Sequence, residues 1–315
     1  MPHTFQQIIE DKGYVLADGA MGTGLMALGM KRGDVAERWN IDHPDRIASV
    51  HDGFIDAGAD LILTNSFGGT YIILERHELG DQAEAYNEAA AKQARQSVER
   101  AGRPVLIGGS MGPTGQLIKP LGKLTIEEAE EAFAAQAAAL AEGGVDYLWI
   151  ETMSSVDEMT AAMKGAAKTG IPFVATMSFD AKGRTMMGTT PEAALEAAQT
   201  VDPKPVAFGA NCGANPRQMI DVILEFKKVV AEDDIIIAKG NCGKPQLGEN
   251  GFSYDGTPDV MADYACLVRD IGAHIIGGCC GTSADHLRAI GEALASRPKV
   301  PVPDPVRVTE MLGEA

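Results

Sequence analysis

Short apolar runs recur eight times along the chain, each followed by a longer stretch rich in Ala, Glu, Gln, Lys or Arg. The runs lie at 14–18, 60–64, 104–109, 145–150, 172–178, 205–210, 234–239 and 273–277. Several are apolar at consecutive positions, as strands buried on both faces of a parallel sheet are. Between them, 45–57 carries Ile47, Val50, Phe54 and Ile55 at helical spacing. Stretches 83–101 and 125–142 consist almost wholly of strong helix formers, and Thr125 with Glu128 makes a capping box. A last crossover helix fits 258–271, and Gly58, Gly102 and Gly144 stand where helices should end. Eight such alternations within about 290 residues predict an α/β chain folded as a single-domain (β/α)8 TIM barrel. An open doubly wound sheet is the competing arrangement. No GxGxxG follows the first run, where Asp18-Gly-Ala-Met-Gly-Thr23 is a different turn. The barrel is expected over 1–297, and 298–315, with Pro301, Pro303 and Pro305, as a tail.

Composition narrows the function. Hydrophobic residues make up 45 % and supply a large core, but aromatics only 5 %, so that core is aliphatic. The formal net charge of −17 argues against nucleic acid or an anionic membrane, which call for basic surfaces. Residues 1–12 carry two acidic residues and no long apolar stretch, so no signal peptide is expected. No run reaches the roughly 18 apolar residues that span a bilayer. Five cysteines, an odd number in a long acidic chain, do not suggest a secreted disulfide framework. A soluble, reduced, cytoplasmic protein is the expectation.

Barrel active sites form where strands end. The ends here are Asp18-Gly-Ala-Met-Gly-Thr23, Thr64-Asn-Ser-Phe-Gly-Gly-Thr70, Gly109-Ser-Met-Gly-Pro-Thr-Gly115, Glu151-Thr152, Ala210-Asn-Cys-Gly213, Gly240-Asn-Cys-Gly243 and Gly277-Gly-Cys-Cys-Gly-Thr282. Three neighbouring strands therefore aim thiols at one rim. Adjacent Cys279 and Cys280 do not easily pair with each other. With a third thiolate from a neighbouring strand they make a three-cysteine set with an open position, as catalytic zinc requires. Buried cysteines also serve as small hydrophobes, and Cys266, on the expected last crossover helix, reads that way. Cys242 reads either as a fourth ligand or as a small rim residue. The six histidines show no paired zinc spacing. Asp18 and Glu151 each end a strand, and two carboxylates at one mouth suit an ammonium group. The glycine turn at Gly19 serves either a tight bend or an anion held by backbone amides.

Together, Asp18-Gly-Ala-Met-Gly-Thr23, Thr64-Asn-Ser-Phe67, Gly209-Ala-Asn-Cys-Gly213 and Gly277-Gly-Cys-Cys-Gly-Thr282 resemble the homocysteine S-methyltransferase family. That family includes betaine–homocysteine methyltransferase and the homocysteine module of cobalamin-dependent methionine synthase. The resemblance covers roughly residues 10 to 295. It implies a zinc barrel with Cys212, Cys279 and Cys280 as ligands. It further implies that Asp18 and Glu151 bind the homocysteine amino group, that amides at Gly19 and Ala20 hold its carboxylate, and that Asn65 joins the substrate site. Zinc then converts the substrate thiol, whose pKa is near ~8.5, into a thiolate that attacks an activated methyl group.

The donor is left open. A betaine-type onium calls for an aromatic cage, for which Trp39, Phe67, Tyr71 and Tyr254 are the candidates. The alternative is methyl transfer from a separate corrinoid protein docking at a mouth with glycine-rich loops around Gly68, Gly115 and Gly248. Two readings compete with an autonomous enzyme. In one, zinc only staples the barrel, with Cys242 as a fourth ligand. In the other, the chain delivers homocysteine to a partner complex.

Overall fold

The computed structural model describes residues 4–180, 182–213, 215–248 and 251–313. All eight expected strands form. They are β1 (Val15–Leu16), β2 (Leu61–Leu63), β3 (Leu106–Met111), β4 (Tyr147–Met153), β5 (Phe173–Met177), β6 (Ala207–Cys212), β7 (Ile236–Gly240) and, after an inserted hairpin of β8 (Pro245–Gly248) and β9 (Gly251–Tyr254), β10 (Ile275–Gly278). The order β1-β10-β7-β6-β5-β4-β3-β2 is parallel throughout. A parallel bridge from Ala17 to Leu61 brings β1 against β2 and completes the ring. The chain is a single (β/α)8 TIM barrel.

Local chemistry accounts for the helices. Helix Ala83–Ala101 has the expected bounds, and Gly102 follows it in the left-handed conformation that closes the last turn. Helix Ile126–Glu142 starts at the expected capping box, with Thr125 and Glu128 bonding each other's backbone amides. Helix Pro258–Ile271 runs as expected, and a further helix, Ala284–Ser296, packs against it after β10. Beyond Pro298 the chain forms helix Pro305–Leu312. Its Val308 is buried and its Arg307 reaches Asp270 at 3.1 Å, so this segment lies on the barrel wall. Among the described residues no helix is long and apolar enough to cross a membrane.

Two apolar layers result. Outside the sheet, strand and helix side chains make the larger cluster, including Ile62, Ile107, Leu148, Ala175 and Ile276. Inside the barrel, the alternate residues Val15, Ala17, Leu61, Leu63, Leu106, Tyr147, Trp149, Val174, Ala207, Ile237 and Ile275 make a second one, with Phe5 and Ile8 of helix Phe5–Lys12. Continuing that inward alternation along the strands reaches Ser110, Glu151, Thr176, Asn211, Lys239 and Cys279. The interior thus changes from aliphatic to polar as it approaches the rim where the strands end.

Candidate functional site

Three sulfurs meet at that rim. The Sγ atoms of Cys212, Cys279 and Cys280 all lie within 4.8 Å of one another, and Cys212 and Cys280 are 3.9 Å apart. Cys279 continues the inward face of β10, but Cys212 follows Asn211 on β6 and should face away from the interior. Its backbone resolves this: φ is 62°, a left-handed conformation uncommon outside glycine, and it breaks the alternation. Strain of this kind collects at functional sites. Cys280 is followed by Gly281, also left-handed, over which the Tyr254 ring packs so closely that a Cβ would overlap it. The peptide N–H of Cys280 donates to Asn241 Oδ1 at 3.1 Å, and Asn241 Nδ2 donates to the Gly213 carbonyl at 2.6 Å. One asparagine therefore braces both cysteine-bearing turns.

The sulfurs share charge unevenly. Thiols of Cys212 and Cys279 turned toward Cys280, with the Tyr254 hydroxyl, hold the Cys280 thiol well below its usual range. The converse interaction, first with Cys279 and then with Cys280, holds the Cys212 thiol far above it. Three soft donors so placed have the chemistry to hold a soft metal ion. A tetrahedral zinc with Zn–S near 2.3 Å sets its sulfurs roughly 3.8 Å apart, and the Cys212–Cys280 separation fits. All three cysteines are partly accessible, which leaves room for a fourth ligand from the mouth. Cys242 is not in this group. It is buried, its Sγ points to the Gly256 carbonyl at 3.3 Å, and burial pushes its thiol up to about 11.

Glu151 stands next to the thiols. Asn211 links them: its Nδ2 lies 3.4 Å from Glu151 Oε2 and 3.8 Å from Cys279 Sγ. The same side chain clamps Thr152, accepting its N–H at 2.8 Å and donating to its hydroxyl at 2.8 Å. Thr152 has φ 61° beside a register shift in β4, costly for a β-branched residue, so the clamp holds a strained backbone that sets the direction of Glu151. Ser110 donates to Glu151 Oε1 at 2.5 Å. Burial pushes the Glu151 carboxyl up to about 7.

Asp18 is buried and paired with Lys239, Nζ to Oδ1, at 2.5 Å. Gly19 fits because a Cβ there would meet the Thr282 carbonyl and the Phe54 ring. The Ala20 N–H donates to the Thr282 carbonyl at 3.1 Å, which anchors this turn to the Cys279-Cys280 loop. Asn65 donates to the Ala36 carbonyl at 2.7 Å and to Asn40 Oδ1 at 3.0 Å, bracing the loop after β2. Of the aromatic candidates, Trp39 is withdrawn: it is buried with Leu25, Met30 and Ile47 and stacks under Arg46. Phe67 and Tyr71 are exposed, and Tyr254 adjoins the thiols. Sequence reasoning passed over the roles of Asn211, Asn241, Ser110 and Lys239. The inward alternation of Ile237 and Lys239 on β7 was the signal for the last.

The homocysteine S-methyltransferase family pattern matches residues 15–294. The methionine synthase of Mycobacterium tuberculosis is 28% identical over 299 residues, covering 90% of this chain and 25% of that protein. That of Mycobacterium leprae is 28% identical over 298 residues, covering 89% and 24%. The chain thus spans about a quarter of the length of these relatives. Among solved structures, the homocysteine methyltransferase MmuM of Escherichia coli superposes in its metallated form with a TM-score of 0.76 at 23% identity, covering 92% of this chain and 99% of that one. Its oxidized form gives 0.77 at 23% identity with the same coverage. The fold is shared with MmuM, and on the match to nearly its whole length the chain belongs to the homocysteine S-methyltransferase family.

Proposed function

We propose that this chain is a zinc-dependent enzyme that moves a methyl group from a small onium donor, betaine or a related compound, to the sulfur of homocysteine, giving methionine. The observation that carries this is the Cys212, Cys279 and Cys280 cluster beside the Glu151 carboxylate. Residues 1–297 carry the whole site, and 298–315 are an appendage. The thiols suit the reduced cytoplasm.

Cys212, Cys279 and Cys280 would hold the zinc, which would supply a Lewis acid favouring the thiolate form of a substrate sulfur. The chain's own residues position the rest of the substrate. Glu151, held by Ser110 and Asn211, receives the ammonium, which favours the ionised form of a carboxyl that burial pushes up to about 7. The carboxylate end lies at the Gly19 turn, where the Ala20 amide is already engaged by Thr282, so Gly19 is the amide that contacts it. Tyr254 covers the Cys280-Gly281 peptide and presents an aromatic face to the donor side. In the transfer, the sulfur–carbon bond forms as the donor's methyl–nitrogen or methyl–sulfur bond breaks, and the electron pair leaves with the amine or sulfide.

A second reading has a specific observation behind it. Phe67, Tyr71, Leu117, Leu121, Met186 and Met187 are exposed in the segments that follow β2, β3 and β5 at the same rim. That apolar collar suits a docking protein, such as one carrying a corrinoid methyl donor. One experiment separates the two. Zinc-loaded protein is given homocysteine with betaine, dimethylsulfoniopropionate, S-methylmethionine or methylcobalamin, and methionine is measured. Turnover with an onium compound supports the first reading, and turnover with methylcobalamin alone supports the second. Silence with every donor and no homocysteine binding would refute both.

A further inference from the structure

The β8–β9 hairpin lies outside the barrel sheet, yet its base is fastened to the turn that carries Cys279 and Cys280. Cys242 is the fastening. Its N–H donates to the Cys280 carbonyl at 2.9 Å, its carbonyl accepts the Gly256 N–H at 3.2 Å, and its thiol turns to the Gly256 carbonyl at 3.3 Å. His286 holds the same carbonyl. Its Nδ1 accepts the Ser283 N–H at 3.2 Å, so its Nε2 carries the proton and donates to Gly256 at 3.2 Å. Asp255 closes the hairpin, accepting the Lys244 N–H at 2.8 Å and the Gln246 side-chain amide at 3.2 Å. The segments approach so closely that both glycines are needed: a Cβ on Gly243 would meet Asp255, and one on Gly256 would meet Cys242. Tyr254 directly precedes these anchored residues. Its ring lies on Gly281 and its hydroxyl stands beside the Cys280 sulfur.

The three sulfurs are therefore not served alike. Cys279 has a donor from inside the barrel, Asn211 Nδ2 at 3.8 Å. Cys212, among the described residues, faces only its fellow thiols. Cys280 is approached by an O–H from outside the sheet. We propose that Tyr254 donates a hydrogen bond to the Cys280 thiolate when the three cysteines hold their metal, and that the hairpin is the device that delivers it. This rests on the zinc reading above and extends it to the metal's surroundings. Three thiolates outweigh the two positive charges of zinc, which blunts its attraction for the sulfur of a substrate. A hydrogen bond to a coordinated thiolate draws electron density off the sulfur and leaves the metal more electrophilic. In this role Tyr254 acts through Cys280, as a positioning residue rather than a ligand.

The test loads the protein with cobalt(II) in place of zinc, because sulfur-to-cobalt charge-transfer bands report the electron density on the thiolates. Tyr254→Phe removes the hydroxyl and keeps the ring on Gly281. Its bands should move to longer wavelength, since a thiolate without its hydrogen bond gives up an electron more readily. Gly256→Ala forces the hairpin base off Cys242 while Tyr254 stays in the chain, and should move the bands the same way. In zinc-loaded protein, Tyr254→Phe should weaken homocysteine about three- to tenfold, the scale of one hydrogen bond, and leave α-aminobutyrate, the same amino acid without the sulfur, unchanged. Bands of Tyr254→Phe that coincide with those of the wild type would overturn the hydrogen bond, as would equal weakening of the two amino acids. Unmoved bands in a folded Gly256→Ala would overturn the hairpin's part in it. Wild-type protein that shows no sulfur-to-cobalt bands at all would instead overturn the zinc reading beneath.

Discussion

The tripeptide Asn-Cys-Gly occurs twice, at 211–213 and 241–243, each time just as a strand ends. The two copies do opposite work. In the first, the cysteine is half-exposed, left-handed and 3.9 Å from Cys280. In the second, it is buried and spends its thiol on the Gly256 carbonyl. Register explains the split. Cys212 pairs with Gly240 across β6 and β7, so Cys242 stands two residues further along its strand's path. By then the chain has left the ladder for the β8–β9 hairpin. The asparagines divide labour as well: Asn211 reaches inward to Glu151 and Thr152, whereas Asn241 reaches sideways to Gly213 and Cys280. A motif's chemistry thus follows from its height on the barrel.

The largest expected difference between the copies is in metal content. Cys212→Ala or Cys280→Ala should lose bound zinc and methionine formation together, with circular dichroism unchanged. Cys242→Ala should keep stoichiometric zinc by elemental analysis. Zinc retained by Cys280→Ala would show that the ligand set is different. The asparagines come next. Asn241→Ala should weaken zinc by about 10–100-fold, the usual cost of losing a residue that orients ligands, as read by chelator competition. Asn211→Ala should act mainly on homocysteine binding, through Glu151.

Glu151→Gln should weaken homocysteine by about 1.5–3 kcal/mol in a binding titration. Its pH dependence has a definite sign. The free carboxyl titrates near 7, and the ammonium needs it ionised, so affinity should fall as pH drops below that value. The wild-type slope should exceed that of Glu151→Gln by about tenfold per pH unit. Equal slopes would place the ammonium elsewhere. The smallest effect is chemical labelling of the metal-free protein. At pH 8 a thiol titrating near 11 is only about one part in a thousand thiolate, so Cys242 should resist alkylation while Cys280 is modified first.

Much of this was legible in the sequence. Apolar runs located all eight strands because residues buried on both faces leave no polar interruption, and 83–101 announced its helix through composition alone. The cysteines at the ends of β6 and β10 were legible as neighbours because only β7 lies between these strands in the ring, whereas Cys242, expected at the same rim after β7, stands outside the cluster. What stayed hidden was conformation and depth. Nothing in Asn211-Cys-Gly213 reveals the positive φ that turns the sulfur back, and nothing in Asn241-Cys-Gly243 reveals that its thiol is buried. Trp39 lay near a mouth loop in sequence but is held in the core by Ile47 and Arg46, a contact between segments. Lys239 closed an apolar run as a strand-ending charge would, and only the inward alternation makes it an interior cation.

The joint between β1 and β2 leans on carboxylates twice, where that between β3 and β4 does so once, from Ile107 to Asp146. β1 is two residues long, and this joint uses two main-chain bonds, Asp60 N–H to Leu16 and Asp18 N–H to Leu61. The other two amides there, of Leu16 and Leu63, donate to the side chains of Asp60 and Asp18. Carboxylates stand in for strand carbonyls at the seam that adjoins the Gly19 turn. Two aspartate side chains therefore hold this joint as much as the main chain does, at the shortest strand of the ring. Hydrogen exchange should find the Leu16 and Leu63 amides released earlier than those of the longer ladders, so that the barrel opens at the edge that carries the Gly19 turn.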